Sequence, residues 1–396
     1  MTKTAIALAL AALTLIGAPM IGTRAARAAD DYTVNVVVPL TGGAAFVGGG
    51  QKDTLNALAE VVNKNGGIQN HKLVFSFHDD QSSPQVAVQL TNQVLQAKPA
   101  VVMGSSIVAM CLAMAPLMTS TTHYCLSPAI HPQPGSNTFS ASADSVDQVA
   151  AVMRYFRLKG LTKIAALQTT DASGQDGDHA IDAVLDYPEN KGVMKKVASE
   201  HFNPTDISVA AQIEKIKASG AQALFSWVTG APTATVFKGM IQAGLDIPVA
   251  PTSGNQTFAS MDQWTSFLPK QLILASALFP EHDGKLTLDA RMEKAQHDMY
   301  AVLKEHNMKA DNMVATSWDA GLIVAAGLQK LGPQATGAQL KNYISNLTDF
   351  AGVDGIYDFK KYPQRGLGPQ SSTVTTYDAT KKAWTWLSKP GGEPLK

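Results

Sequence analysis

The hydrophobic pattern along the chain switches repeatedly between two periods. Residues 33–38 (Thr-Val-Asn-Val-Val-Val) form a β-branched run stopped by Pro39, which predicts a buried strand. A glycine-rich segment over 41–50 follows and is expected as a loop. Leu55, Leu58, Ala59 and Val62 then recur at i, i+3, i+4 and i+7, a helix face closed by Gly66-Gly67. Leu73, Phe75 and Phe77 alternate as the next strand. Ser83 before Pro84 supplies an N-cap and a first-turn proline for a helix carrying Val86, Leu90 and Val94. Strands over 99–103 and 124–126 flank a helix over 110–118. After a polar stretch near 140–147 the rhythm restarts: strands at 163–168, 193–197, 223–228 and 248–252 alternate with helices at 177–185, 209–219 and 233–243. Beyond residue 280 the pattern is helical (288–306, 313–329, 337–346), and it ends in short strands at 373–377 and 384–387. Such alternation predicts an α/β protein with two doubly wound parallel sheets in series, each unit about 120 residues. The remaining C-terminal residues lack a full unit and are expected to complete the two earlier ones.

The first thirty residues carry Lys3, an apolar run over 5–16 and a small-residue stretch ending Ala26-Arg27-Ala28-Ala29. This is the pattern of a cleaved signal peptide, with the cut expected after Ala28 or Ala29. The run is shorter than the ~20 residues of a membrane-spanning helix. No later segment is longer, so an exported, periplasmic mature chain is expected. Its loss would leave 29 basic residues against 32 acidic ones. Charged residues make up 16% of the chain, below the usual ~25%, and the two signs balance, which excludes a basic nucleic-acid binder. No Cys/His cluster has metal-ligand spacing, and no metal or cofactor is expected. Cys111 and Cys125 either close a disulfide or pack as two buried thiols.

Candidate chemistry sits where strands hand over to helices. The glycine segment lacks both nucleotide-binding spacings, G-x-G-x-x-G and G-x-x-x-x-G-K-[ST]. Phe46 within it is either a pocket wall or local packing. Gly104-Ser105-Ser106-Ile107-Val108-Ala109 precedes a helix, where free N–H groups bind an anion or the serines simply cap. In Ser127-Pro128-Ala129-Ile130-His131-Pro132 two prolines restrain His131, which is either a ligand donor or a solvated loop imidazole. His78-Asp79-Asp80 reads as a solvated turn. No nucleophile motif is present, so no enzyme is expected.

Several segments in order resemble the type I, branched-chain-amino-acid-like periplasmic substrate-binding proteins of ABC importers. They are Val38-Pro39-Leu40-Thr41-Gly42, Asn63-Lys64-Asn65-Gly66-Gly67-Ile68, Asp79-Asp80-Gln81-Ser82-Ser83-Pro84, Gly104, Ser127-Pro128, residues 166–177, and Gly352-Val353-Asp354-Gly355-Ile356-Tyr357-Asp358-Phe359. The resemblance implies two lobes joined by a three-crossing hinge: signal peptide 1–29, lobe 1 at 30–149, lobe 2 at 150–279, completion of lobe 1 by 280–351, and a crossing plus completion of lobe 2 by 352–396. It also implies a monomer that closes on a small molecule in the interlobe cleft and delivers it to a membrane permease.

The departures from that family narrow the ligand. Its amino-acid binders usually place a Ser where Val108 stands, and a small residue followed by Thr where Ile130-His131 stand. An aromatic commonly occupies the position of Ser173. The acid that receives the ammonium falls near Ser253 in Thr252-Ser253-Gly254-Asn255. A buried ammonium without a carboxylate partner is costly. The expected ligand is therefore a small organic acid with an apolar or aromatic body and no α-amino group. It would be held by Phe46, Ser105, Ser106, Val108, Ala109, Ala129, Ile130 and His131 from one lobe. Ser173, Trp227, Thr229, Gly230, Ser253 and Asn255 would hold it from the other. An amino-acid receptor and a ligand sensor coupled to signalling are the alternatives.

Overall fold

In a computed structural model the chain is described at Met1 and over 30–127, 132–281 and 286–395. The expected leader and three candidate residues, Ala129, Ile130 and His131, lie outside the described residues. The first unit runs β1 (Tyr32–Val38), α1 (Ala45–Lys64), β2 (Leu73–Asp79), α2 (Pro84–Leu95), β3 (Val101–Gly104), α3 (Val108–Met114), β4 (Thr122–Cys125) and β5 (Thr138–Ser140). The second runs α4 (Ser145–Leu158), β6 (Lys163–Thr169), α5 (Ala172–Leu185), β7 (Lys195–Phe202), α6 (Ala210–Ala218), β8 (Ala223–Ser226), α7 (Ala231–Gln242), β9 (Val249–Pro251), α8 (Phe258–Trp264) and β10 (Leu274–Ser276). Three helices, α9 (Ala290–Glu305), α10 (Asn312–Leu331) and α11 (Gly337–Ser345), precede the short strands β11 (Phe350–Ala351) and β12 (Ile356–Tyr357). The last strands are β13 (Thr373–Asp378) and β14 (Ala383–Trp386).

The strand order is β2-β1-β3-β4-β5 in one parallel sheet and β7-β6-β8-β9 in the other, so β1 and β6 each sit where the winding reverses. That reversal opens a crevice at the carboxyl ends of the strands, the usual ligand position in open α/β sheets. The antiparallel trio β10-β13-β14 adjoins the second sheet through a bridge from Val249 to Leu272. Apolar burial follows the same division. Val34 and Val36 of β1, Leu55 and Leu58 of α1 and Trp318 and Ile323 of α10 share one core, which extends to Val353, Tyr357, Phe359 and Leu367. Phe156, Phe225, Trp227 and Val374 share another. Ser83 caps α2 through the Val86 N–H, with Pro84 in the first turn, as its sequence predicts.

The glycine segment departs from expectation. Only 41–44 is loop, and α1 already begins at Ala45. Gly48 is there because the helix start lies against β1's exit: a Cβ would collide with the Pro39 carbonyl oxygen. The polar stretch at 140–147 is not a connection throughout either, since Asp144 caps α4 through the Val146 N–H (2.9 Å) and the helix starts at Ser145. Strands β5 and β10 and helix α8 span three to seven residues, too few to print a period on the sequence.

The connection from β5 to α4 is bolted to the segment that follows β12. The Ser140 N–H donates to the Gln364 carbonyl. Buried Arg365 donates to Ser140 Oγ (3.3 Å) and the Ser142 carbonyl (3.2 Å), and its Nε lies 3.1 Å from Asp144 Oδ2.

Several carboxyls inside this frame favour the protonated form. Asp319 on α10 accepts from the Val353 and Asp354 N–H groups (2.8 and 3.0 Å) and the Tyr357 hydroxyl (2.9 Å), yet burial pushes its pKa up to about 6. Burial and the neighbouring Asp319 charge raise Asp354 well above the carboxylate range. Burial raises Asp147 to about 6, with Asp144 adding to the shift and Arg365 opposing it. Groups raised in the folded state lend stability that is full below their unfolded pKa and lost as pH climbs through about 6. His123 acts in the opposite sense: burial lowers it to about 4, so its contribution fades as pH falls from 6.5 towards 4. The raised carboxyls outnumber His123 over the window they share, so the unfolding midpoint is expected to fall as pH rises from about 4 to about 6. A midpoint that climbs steadily from pH 4 to 6 in a buffer series would contradict this.

Candidate functional site

A small cavity lies between the two sheets' carboxyl edges, lined by Val47, Ser106, Ile107, Val108 and Ser127 from one unit and Ser173, Trp227, Thr229, Thr252 and Gly254 from the other. Every lining segment follows a strand end: β1, β3 and β4 on one side, β6, β8 and β9 on the other. The space open to the centre of a water-sized sphere is about 20 Å³, room for about one water, so the two edges stand shut over it.

Among the described residues the lining carries no ionisable side chain. Its electrostatic character comes from helix starts. Val108 is the first residue of α3, whose N-cap Ile107 makes no side-chain cap. Ser173 lies in the first turn of α5, where Asp171 takes the Gly174 N–H (3.1 Å). The positive ends of two opposed helix dipoles thus meet at the cavity. Two donors there lack partners: the Trp227 indole Nε1 and the Ser173 hydroxyl are both buried without a hydrogen bond. A buried donor left unmade costs about 1–3 kcal/mol, so both are suited to a guest's acceptor atoms.

Five candidate residues are brought together in the lining: Ser106, Val108, Ser173, Trp227 and Thr229. The others stand nearby in different roles. Ser105 is buried and donates to Asp80 Oδ2 (2.5 Å), bracing the turn that holds the Asp80 carboxyl, itself raised by burial. Ala109 packs on the far side of α3 with Met110 and Met114. Phe46 sets its ring edge-on to Trp264 at 6.4 Å, joining α1 to α8 at the cleft mouth. Asn255 is a brace: its Nδ2 donates to the Val228 carbonyl (2.7 Å) and its Oδ1 accepts from the Gly230 N–H (2.9 Å) and the Thr233 hydroxyl (3.1 Å). It thereby shapes the loop of Trp227–Gly230, in which Gly230 adopts φ +82°. Ser253 is buried in the same turn, while its neighbours Thr252 and Gly254 reach the cavity.

Sequence reasoning missed Val47, Ile107, Ser127, Thr252 and Gly254 as lining, and also Gln51. The buried Gln51 side chain accepts from Ser106 Oγ and donates to the Leu126 carbonyl (3.4 Å), so it ties α1 to the loops after β3 and β4. Its helical phase with Leu55 and Leu58 marked it as inward-facing, and a polar residue on that face was the available signal. The Thr229 and Thr252 hydroxyls bond each other at 2.6 Å. Behind the lining, Cys111 of α3 and Cys125 of β4 are disulfide-bonded, with Cα atoms 6.0 Å apart, which resolves the choice left open by the sequence.

Comparison with known proteins places this geometry. A family model described as periplasmic binding protein matches residues 31–382. The Leu/Ile/Val-binding protein homolog 3 of Brucella melitensis biotype 1 is 24% identical over 315 residues, spanning 78% of this chain and 81% of that protein. An extracellular ligand-binding receptor from Rhodopseudomonas palustris HaA2 superposes with a TM-score of 0.79 at 18% identity, covering 91% of this chain and all of the other. A solute-binding protein of an ABC transporter from R. palustris, solved with 4-hydroxybenzoate, gives a TM-score of 0.74 at 15% identity over 93% of this chain and 98% of the other. Among the described residues no helix is long and apolar enough to cross a membrane.

Proposed function

The chain belongs to the periplasmic binding protein family, and from that premise we propose that it captures a small carboxylate with an apolar or aromatic body and passes it to an ABC permease. One observation carries the choice of ligand: the cavity shared by the two units has helix starts and orphan donors but, among the described residues, no acidic side chain in its lining. A carboxylate satisfies those donors, whereas an α-ammonium entering the same space would lose its hydration with no counter-charge to meet it. Val47, Ile107, Val108 and the Trp227 indole supply the apolar walls. The 4-hydroxybenzoate bound by the R. palustris relative is a ligand of this class.

In this reading the units are lobes that part and close. A benzoate-sized guest exceeds the space left by the shut edges, so it enters an opened cleft and holds the lobes at a wider closure than seen here. In this reading the last passage between lobes runs after Leu367 and before Val374, since Leu367 packs in the first core and Val374 in the second. The leader at 1–29 would direct export, and the permease would read the closed lobes.

A second reading, an amino-acid receptor, is favoured by the Leu/Ile/Val-binding name of the Brucella relative. A thermal-shift panel of benzoates, short aliphatic acids and neutral amino acids separates the two. A ligand at 100 times its Kd adds about 2.7 kcal/mol of stability. Midpoint rises confined to the acids are expected, and rises confined to the amino acids would replace the first reading with the second.

A further inference from the structure

The two edges also meet beside the cavity, at the start of α10. Asp311 caps that helix: its Oδ1 accepts from the Met313 and Val314 N–H groups, both at 3.1 Å. Its second oxygen serves a different element. Oδ2 accepts from the Phe258 N–H (3.3 Å) at the start of α8. Helix α10 belongs to the first core through Val314, Ala315 and Trp318, and α8 to the opposite unit through Met261 and Trp264. One carboxylate therefore spans the seam, and the adjacent Asn312 N–H crosses it as well, to the Gln256 carbonyl (3.0 Å).

We infer that Asp311 is a closure-positioning residue: one oxygen holds its own helix while the other latches the opposite lobe in the closed form. The division of labour is what makes this more than a helix cap, because a cap needs only the Oδ1 contacts. Burial raises the Asp311 carboxyl to about 6 against the pull of those three N–H donors, so it is held in the seam by backbone dipoles. Met313, two residues on, packs with Val47 of the cavity lining, which places the latch next to the ligand's position. The latch rests on the proposal that the lobes part and close, but not on which ligand they take.

The two oxygens can be separated by substitution. In Asp311→Ser the hydroxyl still caps α10 and is too short to reach Phe258. In Asp311→Asn the carbonyl oxygen keeps the two helix N–H groups, and the amide turns a donor towards the Phe258 N–H, itself a donor. The measurement is the distance distribution between spin labels placed at Lys52 on α1 and Lys238 on α7 in the unliganded protein. Both variants are expected to shift the open-to-closed ratio by about tenfold or more towards open, the scale of a lost hydrogen bond to a charged group. Their helix content should stay unchanged. Distributions that match the parent in both variants would overturn the latch. Because no ligand is added, this outcome is distinct from a ligand panel in which no acid binds.

Discussion

Replacing Trp227 by Phe is expected to weaken binding of 4-hydroxybenzoate by about ten- to a hundredfold, the scale of a hydrogen bond to a charged or strongly polar acceptor. Trp227→Ala should weaken it further, beyond a hundredfold. The indole does two things at once. Its ring lines the cavity, and its Nε1–H is a buried donor with no acceptor among the described residues. Phe keeps most of the wall and removes the donor, so the two variants separate apolar contact from hydrogen bonding. The backbone position is fixed independently, because the Trp227 N–H is held by Gln168 Oε1 at 2.8 Å and the side chain rests where a Cβ on Gly177 would come within 2.6 Å. Calorimetric titration of both variants reads the effect. Parent-like affinity in Trp227→Phe would remove the indole donor from the site.

Arg365→Met should be the most damaging single change to the frame, costing about 3–5 kcal/mol of unfolding free energy, as expected when one partner of a buried ion pair is removed. Arg365 is 6% exposed and ties its segment to the β5–α4 connection through Ser140, Ser142 and Asp144. Its removal takes away a positive charge that opposes the repulsion between Asp144 and Asp147. Protonation relieves that repulsion, so the loss should be smaller at pH 5 than at pH 8. Urea unfolding at the two pH values measures it. A loss below about 1 kcal/mol at pH 8 would show that this bolt carries little stability.

How much of this was legible in the sequence depended on the kind of signal. The parallel sheets were readable because β3, β6 and β8 carry continuous apolar runs, β1 ends in Val36-Val37-Val38, and the helices between them keep a regular period. The start of α1 was hidden because its glycines mimic a loop. Gly48 serves close approach to Pro39, a contact between segments that composition does not encode. In the cleft, Trp227, Thr229 and Ser173 were reachable because they follow strand ends at the reversal points. The β9 exit shows the limit. Ser253 and Asn255 were expected where Thr252 and Gly254 reach the cavity, because a short helical turn over Ser253–Asn255, too brief to print a period, sets which residues face inward. The double role of Asp311 was illegible for another reason, since its second partner, Phe258, is 53 positions away and contributes only a backbone N–H.

The central claim is that the guest is an acid without an ammonium group, and paired ligands that differ by that group alone test it most directly. Leucine and 4-methylpentanoate form one such pair, phenylalanine and 3-phenylpropanoate another. Titrated into the same protein, the deaminated member of at least one pair is expected to bind at least tenfold tighter than its amino acid. Tighter binding of the amino acid in either pair would contradict the account, since the lining would then have to supply a counter-charge that its described residues do not contain.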